Sequence, residues 1–109
     1  MTGEKHDAVA TVVTALMLAA GLALAAGNET KGKYYFKKTC KTCHGKGAAA
    51  GEVTPLTKTQ EQWKRYFDKG VHKKGAEKLN VIVPAEQIED IRTFLFNHAA
   101  DSPQPETCG

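Results

Sequence analysis

Hydrophobic residues form one uninterrupted run near the start of the chain and shorter periodic patterns after it. Residues 8–26 contain no charged side chain and end with small residues of the Ala-x-Ala type. Such a run indicates a secretory signal peptide, and its 19 residues also approach the length that spans a membrane as a helix. We predict that residues 1–26 are an export segment. We favour cleavage near Ala25 or Ala26 over retention as a membrane anchor.

Start and stop signals predict two helices in the middle of the chain. The first covers about residues 29–40, with Asn28 capping its N-terminus. The second opens at a capping box formed by Thr59 and Gln62, and Gly70 ends it.

Apolar periodicity predicts a third helix, which opens at Pro84. Its inward stripe consists of residues at helical spacing, namely Ile88, Ile91, Phe94, Leu95 and His98. Residues 45–51 and 71–83 are predicted loops, Pro55 lies in an extended segment, and residues 102–109 form an irregular tail. The pattern therefore predicts an all-α domain.

The clearest chemical signal is the sequence Cys40-Lys41-Thr42-Cys43-His44. C-x-x-C-H is the attachment motif of c-type haem: the two sulfurs bond to the vinyl groups, and the histidine binds the iron. A chain with only 83 residues after residue 26 also has a limited core, which a covalently held haem would stabilise. We predict one haem c, with its iron, held by Cys40, Cys43 and His44.

The cysteine pair has two other interpretations. A thioredoxin-like redox pair expects a βαβ pattern, and no run of β-branched residues lies near this one. Residues 40–47 also read C-x-x-C-x-G-x-G, as in the zinc fingers of J-domain co-chaperones. A zinc site takes four ligands, however, and this motif occurs once. Haem is therefore favoured over both.

Basic charge is concentrated around the motif. The chain carries 15 Lys and Arg residues against 12 Asp and Glu residues, which gives a net charge of +3. Such a local field can steer an acidic redox partner to the site. The sequence contains no nucleic-acid-binding motif, so we expect no nucleic-acid partner. Six lysines surround the motif: Lys31, Lys33, Lys37, Lys38, Lys41 and Lys46.

Beyond the motif, residues 27–101 resemble the class I cytochromes c. In that family a glycine, an aromatic residue and the first cysteine follow at intervals of four, as Gly32, Phe36 and Cys40 do here. In the family the last helix crosses closely at this glycine, over an aromatic residue. Phe94 matches that aromatic residue. The resemblance implies a small class I fold, with three main helices around one covalently attached haem.

The resemblance also implies a role for a proline near the haem. Pro55 lies eleven residues after His44, where the carbonyl of the family's proline accepts the imidazole Nδ1–H. Trp63 is a candidate to donate its indole N–H to a haem propionate, and simple core packing is its other interpretation.

The chain departs from the family at the sixth iron ligand. The family uses a methionine in the loop before the last helix, but the only methionines here are Met1 and Met17. Leu79 falls near the methionine position and cannot bind iron. His72, in the same loop, is the leading candidate, and an open site comes next. The remaining candidates are His98 and the lysines of the loop, Lys73, Lys74 and Lys78.

These features together predict an exported, periplasmic or otherwise extracytoplasmic carrier of single electrons, without enzymatic activity. Loss of the methionine predicts a lowered reduction potential. The alternatives are a five-coordinate haem protein that binds nitric oxide or carbon monoxide, and a haem subunit of a larger redox complex anchored by residues 8–26. Cys108, left over outside the motif, is predicted to form an intermolecular disulfide or to remain a free thiol.

Overall fold

The computed structural model describes residues 27–107, so the predicted export segment and Cys108 lie outside the described residues. Within this range no helix has the length and apolar character needed to cross a membrane. The elements follow in the order α1 (Glu29–Tyr35), a π-helical turn (Phe36–Cys40), a 3₁₀ turn (Pro55–Thr57), α2 (Gln60–Lys69), β1 (Val71–His72), β2 (Glu77–Lys78), α3 (Leu79–Ile82) and α4 (Ala85–Asn97).

The first helix begins as predicted but ends in a wider turn. The Asn28 side chain accepts a hydrogen bond from the Lys31 N–H at 2.9 Å, which caps α1. From Phe36 onward the backbone widens, and the Lys41 N–H donates to the Phe36 carbonyl at 3.1 Å, five residues back. Single π-helical turns of this kind occur often at functional sites. Here the turn leads directly into the haem motif.

The second and last helices agree with their sequence signals. Thr59 and Gln62 form both hydrogen bonds of the capping box, and Gly70 ends α2 with φ at +63°. A positive φ is readily adopted by glycine, which explains the stop. Helix α4 starts directly after Pro84.

Two predicted irregular segments are more ordered than expected. Pro55 is not extended, because the Thr54 and Thr57 side chains form a capping box around a 3₁₀ turn. The predicted loop of residues 71–83 contains an antiparallel hairpin, in which His72 pairs with Glu77, and the short helix α3. Burial of Leu79 at the start of α3 accounts for this order, since its side chain joins the core.

The core lies where α1 and α4 cross. A Cβ atom on Gly32 would lie 1.9 Å from the Asp90 carbonyl oxygen, so only glycine permits this approach. One turn later the Phe36 and Phe94 rings pack with their centroids 5.8 Å apart. The predicted all-α fold with three main helices is confirmed. Its buried apolar residues are Phe36, Trp63, Leu79, Val83, Ile91, Phe94, Leu95 and Ala99.

The C-terminal segment is held against α1 through His98. The His98 Nδ1 atom bonds to the Gln104 carbonyl at 2.8 Å, and its Nε2 atom bonds to the Glu29 carboxylate. The Glu106 N–H donates to the His98 carbonyl at 3.1 Å. Both ring nitrogens of His98 are therefore engaged between the two terminal helices and the tail. For His98 to bind iron, its bond to Glu29 or to Gln104 would have to break, so these contacts count against this candidate.

Candidate functional site

The three residues of the haem motif border one cavity. Cys40 ends the π-helical turn, and its carbonyl accepts the backbone N–H groups of Cys43 at 3.3 Å and His44 at 3.0 Å. This tight turn brings both thiols and the imidazole to the wall of a cavity of about 540 Å³. The two thiols are not joined as a disulfide, and burial raises the pKa of the Cys40 thiol to about 11.

The imidazole of His44 is oriented by a backbone carbonyl, but not by the predicted one. Its Nδ1 atom lies 2.8 Å from the carbonyl oxygen of Gly51. The carbonyl of Pro55 instead accepts the indole N–H of Trp63 at 2.9 Å. The 3₁₀ turn at Pro55 explains the difference, because it directs this carbonyl toward the core.

The same hydrogen bond corrects the role predicted for Trp63. The Trp63 side chain is 3% exposed, and its N–H is satisfied by Pro55 inside the protein rather than by a propionate. The alternative interpretation, core packing with an internal partner for the N–H, describes this residue. The ring still borders a second cavity, of about 400 Å³.

His72, the leading candidate for the sixth ligand, lies close to His44. The two ring centroids are 5.9 Å apart, and the rings are nearly perpendicular, at 85°. The Nδ1 atom of His72 lies 2.9 Å from the hydroxyl oxygen of Tyr66. Burial raises the pKa of Tyr66 to about 12, so its phenol is neutral at physiological pH. In both histidines Nδ1 is engaged, which makes Nε2 the nitrogen available to a metal.

These residues fit a haem. Two imidazoles bound to one metal from opposite sides would have ring centres about 6 Å apart, because each metal–nitrogen bond is about 2 Å long and each ring centre lies about 1 Å beyond its nitrogen. The observed spacing of His44 and His72 agrees with this value. Both residues border both cavities, which together expose apolar side chains, including Val53, Leu79 and Ile82. Leu79, at the position matching the family's methionine, therefore forms part of the wall.

The turn that follows His72 has an unusual backbone. Lys73 and Lys74 have φ values of +50° and +60°, and Gly75 follows at +86°. Left-handed conformations of this kind cost about 1–2 kcal/mol for a residue with a side chain. The turn is closed by a 3.1 Å hydrogen bond from the Gly75 N–H to the His72 carbonyl. Its flank also carries an ion pair between Lys73 and Glu77, at 3.3 Å.

The six lysines around the motif are not equivalent. Lys33 pairs with Glu106 at 3.7 Å, and the ammonium of Lys38 bonds to the Tyr34 hydroxyl at 3.1 Å. Three others border one open depression beside the motif, together with Glu52, Thr54 and Leu56: Lys37, Lys41 and Lys46.

Two residues that support the site were not recognised from the sequence. Gly51 supplies a backbone carbonyl, which any residue carries, so no side-chain signal marks it. Tyr66 follows Trp63 by three residues on α2, and this spacing alone indicates only a shared helix face. Its contact with His72 depends on the hairpin, which the sequence did not predict.

Comparison with known proteins identifies the family of this site. A family model described as cytochrome c oxidase, cbb3-type, subunit III matches residues 27–95. No curated protein and no solved structure matches the chain significantly. The matched range is more than half of the chain, and it includes the C-x-x-C-H motif, the His72 hairpin and the crossing at Gly32. The chain therefore belongs to the cbb3-type cytochrome c oxidase subunit III family of class I c-type cytochromes, which hold a covalently bound haem c and take part in electron transfer.

Proposed function

We propose that this chain is an exported carrier of single electrons, with one six-coordinate haem and no enzymatic activity of its own. The haem iron supplies one-electron transfer between its ferric and ferrous states. The residues of the chain hold, orient and enclose the group. The observation that carries the proposal is the pair of imidazoles, His44 and His72, at a centroid distance of 5.9 Å with Nδ1 engaged in both.

Each residue of the site has a defined part in this proposal. Cys40 and Cys43 form the thioether links, and His44 is the proximal ligand. The Gly51 carbonyl accepts its Nδ1–H, which fixes the ring and makes the imidazole more basic. His72 is the distal ligand. An imidazole in place of the family's methionine lowers the reduction potential, since methionine ligation raises it.

The redox partner is proposed to be acidic at its docking surface. Lys37, Lys41 and Lys46 border one depression close to the attachment motif, and their combined field would steer a negatively charged surface toward it. The proposed docking surface would then lie beside the turn that carries the two cysteines.

A second candidate is a haem subunit within a larger redox complex, and the family match favours it. In that case residues 8–26 would anchor the chain on the extracytoplasmic side of a membrane, and Cys108 would be available to link it to another chain. Cleavage of the export segment would instead give a soluble periplasmic carrier. Measuring the size of the mature protein distinguishes these states. An anchored chain should need detergent for its release, and a chain linked through Cys108 should become smaller when reductant is added.

The ligand set is tested by absorption spectra of His72→Ala and a matched control, His98→Ala. We expect the parent to be low-spin in both oxidation states and slow to bind carbon monoxide. His72→Ala should become high-spin and bind carbon monoxide quickly, with the haem still covalently attached. His98→Ala, a change at a histidine whose ring nitrogens are both engaged elsewhere, should leave the spectrum unchanged.

Two results would contradict the assignment of His72. A high-spin parent that is indifferent to His72→Ala would indicate an open site and favour the binding of nitric oxide or carbon monoxide. A low-spin parent that is indifferent to the same change would indicate His98 if His98→Ala alters the spectrum, and otherwise a lysine of the hairpin region, Lys73, Lys74 or Lys78. Either lysine ligation or an open site would still leave the covalent haem in place.

A further inference from the structure

The imidazole of His72 is held from outside its own hairpin. Its Nδ1 atom lies 2.9 Å from the hydroxyl oxygen of Tyr66, which belongs to α2. The Tyr66 ring packs edge-on against Trp63 at 6.0 Å and against Phe67 at 5.1 Å between centroids. The Lys58 ammonium lies over the same ring, 6.0 Å from its centroid. The position of the hydroxyl is therefore set by packing on α2 and not by the hairpin.

The hairpin alone gives His72 weak support. It has two residues in each strand, and its turn places Lys73 and Lys74 in left-handed conformations that side chains disfavour. Strain of this kind persists only where surrounding contacts impose it. The hydrogen bond to Tyr66 is such a contact, and it joins the end of β1 directly to α2.

We propose that Tyr66 is a positioning residue for the distal ligand: its hydroxyl oxygen accepts the Nδ1–H of His72, which leaves Nε2 unprotonated and directed to the iron. This inference rests on the proposed ligation by His72. It gives the distal imidazole the same support that the Gly51 carbonyl gives to His44, at nearly the same distance of 2.8 Å. Hydrogen bonds of this type fix the orientation of a metal-binding imidazole and increase its basicity.

The inference predicts what happens when the hydroxyl is removed. In Tyr66→Phe the ring and its packing remain, but His72 loses its acceptor and can rotate away from the iron. Loss of such a support costs about 10- to 100-fold in metal affinity. The rate at which the reduced holoprotein binds carbon monoxide should rise by about the same factor, because carbon monoxide enters when His72 leaves. The reduction potential should rise as well, since a less basic imidazole stabilises ferric iron less.

The matched control is Tyr34→Phe, which removes the same hydroxyl from an exposed tyrosine on α1 that bonds to Lys38. This variant should bind carbon monoxide at the rate of the parent. If Tyr66→Phe behaves like Tyr34→Phe, the role proposed for Tyr66 is wrong. Ligation by His72 is judged separately, from the spectrum of His72→Ala, so the two ideas can fail independently.

A double variant separates positioning from general packing. If Tyr66 acts through His72, adding Tyr66→Phe to His72→Ala should change neither the carbon monoxide rate nor the potential. An equal change in both backgrounds would show that Tyr66 acts on the haem pocket by another route and would overturn the inference.

A measurement on the unmodified protein covers the case in which Tyr66→Phe does not fold. In the reduced low-spin holoprotein, the Nδ1–H proton of His72 should exchange slowly with solvent and show a nuclear Overhauser contact to the Tyr66 ring. Rapid exchange without that contact would refute the hydrogen bond.

Discussion

Replacing Gly32 by alanine tests the crossing of α1 and α4 directly. The new Cβ atom would lie 1.9 Å from the carbonyl oxygen of Asp90 and 2.9 Å from the Cβ atom of Phe94. Ordinary contact begins at 3.4 Å, so the helices would have to separate by about 1.5 Å in an interior that is closely packed. The obstacle is the backbone of a helix, which cannot rotate away as a flexible side chain can.

Two opposing effects determine the loss of stability in Gly32→Ala. Alanine in place of glycine favours a helix interior by about 1 kcal/mol. Forced overpacking costs about 1–3 kcal/mol, and we take the upper end because α4 must move as a unit. The free energy of unfolding should therefore fall by about 2 kcal/mol. A domain of this size loses about 4–8 °C in Tm per kcal/mol, so we expect a Tm about 8–16 °C below that of the parent.

Thermal unfolding of the holoprotein, followed by far-ultraviolet circular dichroism, measures this difference. The matched control is Lys31→Ala, which places the same methyl group at an exposed position of the same helix. The control should keep the Tm of the parent within a few degrees. An unchanged or higher Tm for Gly32→Ala would refute the close crossing of the two helices.

Three further predictions concern charge and covalent attachment. Burial alone would lower the pKa of His98, but its hydrogen bonds to Glu29 and to the Gln104 carbonyl raise this pKa above 6.5. The pKa of Glu29 is held below 4.5, first by its hydrogen bond from His98 and then by the one from Asn97. The stability that His98 contributes to the fold is complete below pH 6.5 and is lost as the pH rises through its raised pKa. The stability that Glu29 contributes is complete above pH 4.5 and is lost as the pH falls through its lowered pKa. Stability from the pair should thus be greatest between these values, and chemical denaturation of His98→Gln across pH should show a flatter profile than the parent. Electron-transfer rates with an acidic partner, measured by stopped flow, should fall steeply between 0.1 M and 1 M salt, because the Debye length shrinks from about 10 Å to about 3 Å; a rate independent of salt would count against steering by the lysines. Extraction of the denatured holoprotein with acidified acetone should leave the colour with the protein, and haem in the organic phase would contradict thioether attachment.

Features set by neighbouring residues were predictable from the sequence. The capping box of Thr59 and Gln62 and the stop at Gly70 depend on side chains within one turn of each helix end, so their signals are local. The close approach at Gly32 was predicted because the resemblance supplied the crossing partner, Phe94. The haem motif was predictable for the same reason as the caps, since its residues span one turn.

Features set by contacts between distant segments could not be predicted in this way. The imidazole of His44 bonds to the carbonyl of Gly51 and not to that of Pro55, because the Pro55 carbonyl accepts the indole N–H of Trp63. Neither lysine of the hairpin turn has an intrinsic preference for positive φ, so local propensity argues against the turn that forms. Tertiary contacts of the segment, such as burial of Leu79, override that propensity.

The π-helical turn between α1 and the haem motif determines the direction in which the motif leaves α1. A π-helical turn holds one residue more than an α-helical turn, and each residue of an α-helix advances the chain by about 100°. If Phe36–Cys40 closed as an α-helix with all five residues in place, the residues after the turn would be rotated by roughly 100° relative to α1. The thiols and the imidazole would then rotate away from the cavity while α1 kept its packing on α4. Deleting Lys37, Lys38 or Thr39 would instead remove the extra residue, so an α-helical turn would keep the motif facing the cavity, whereas core packing constrains Phe36 and haem attachment constrains Cys40.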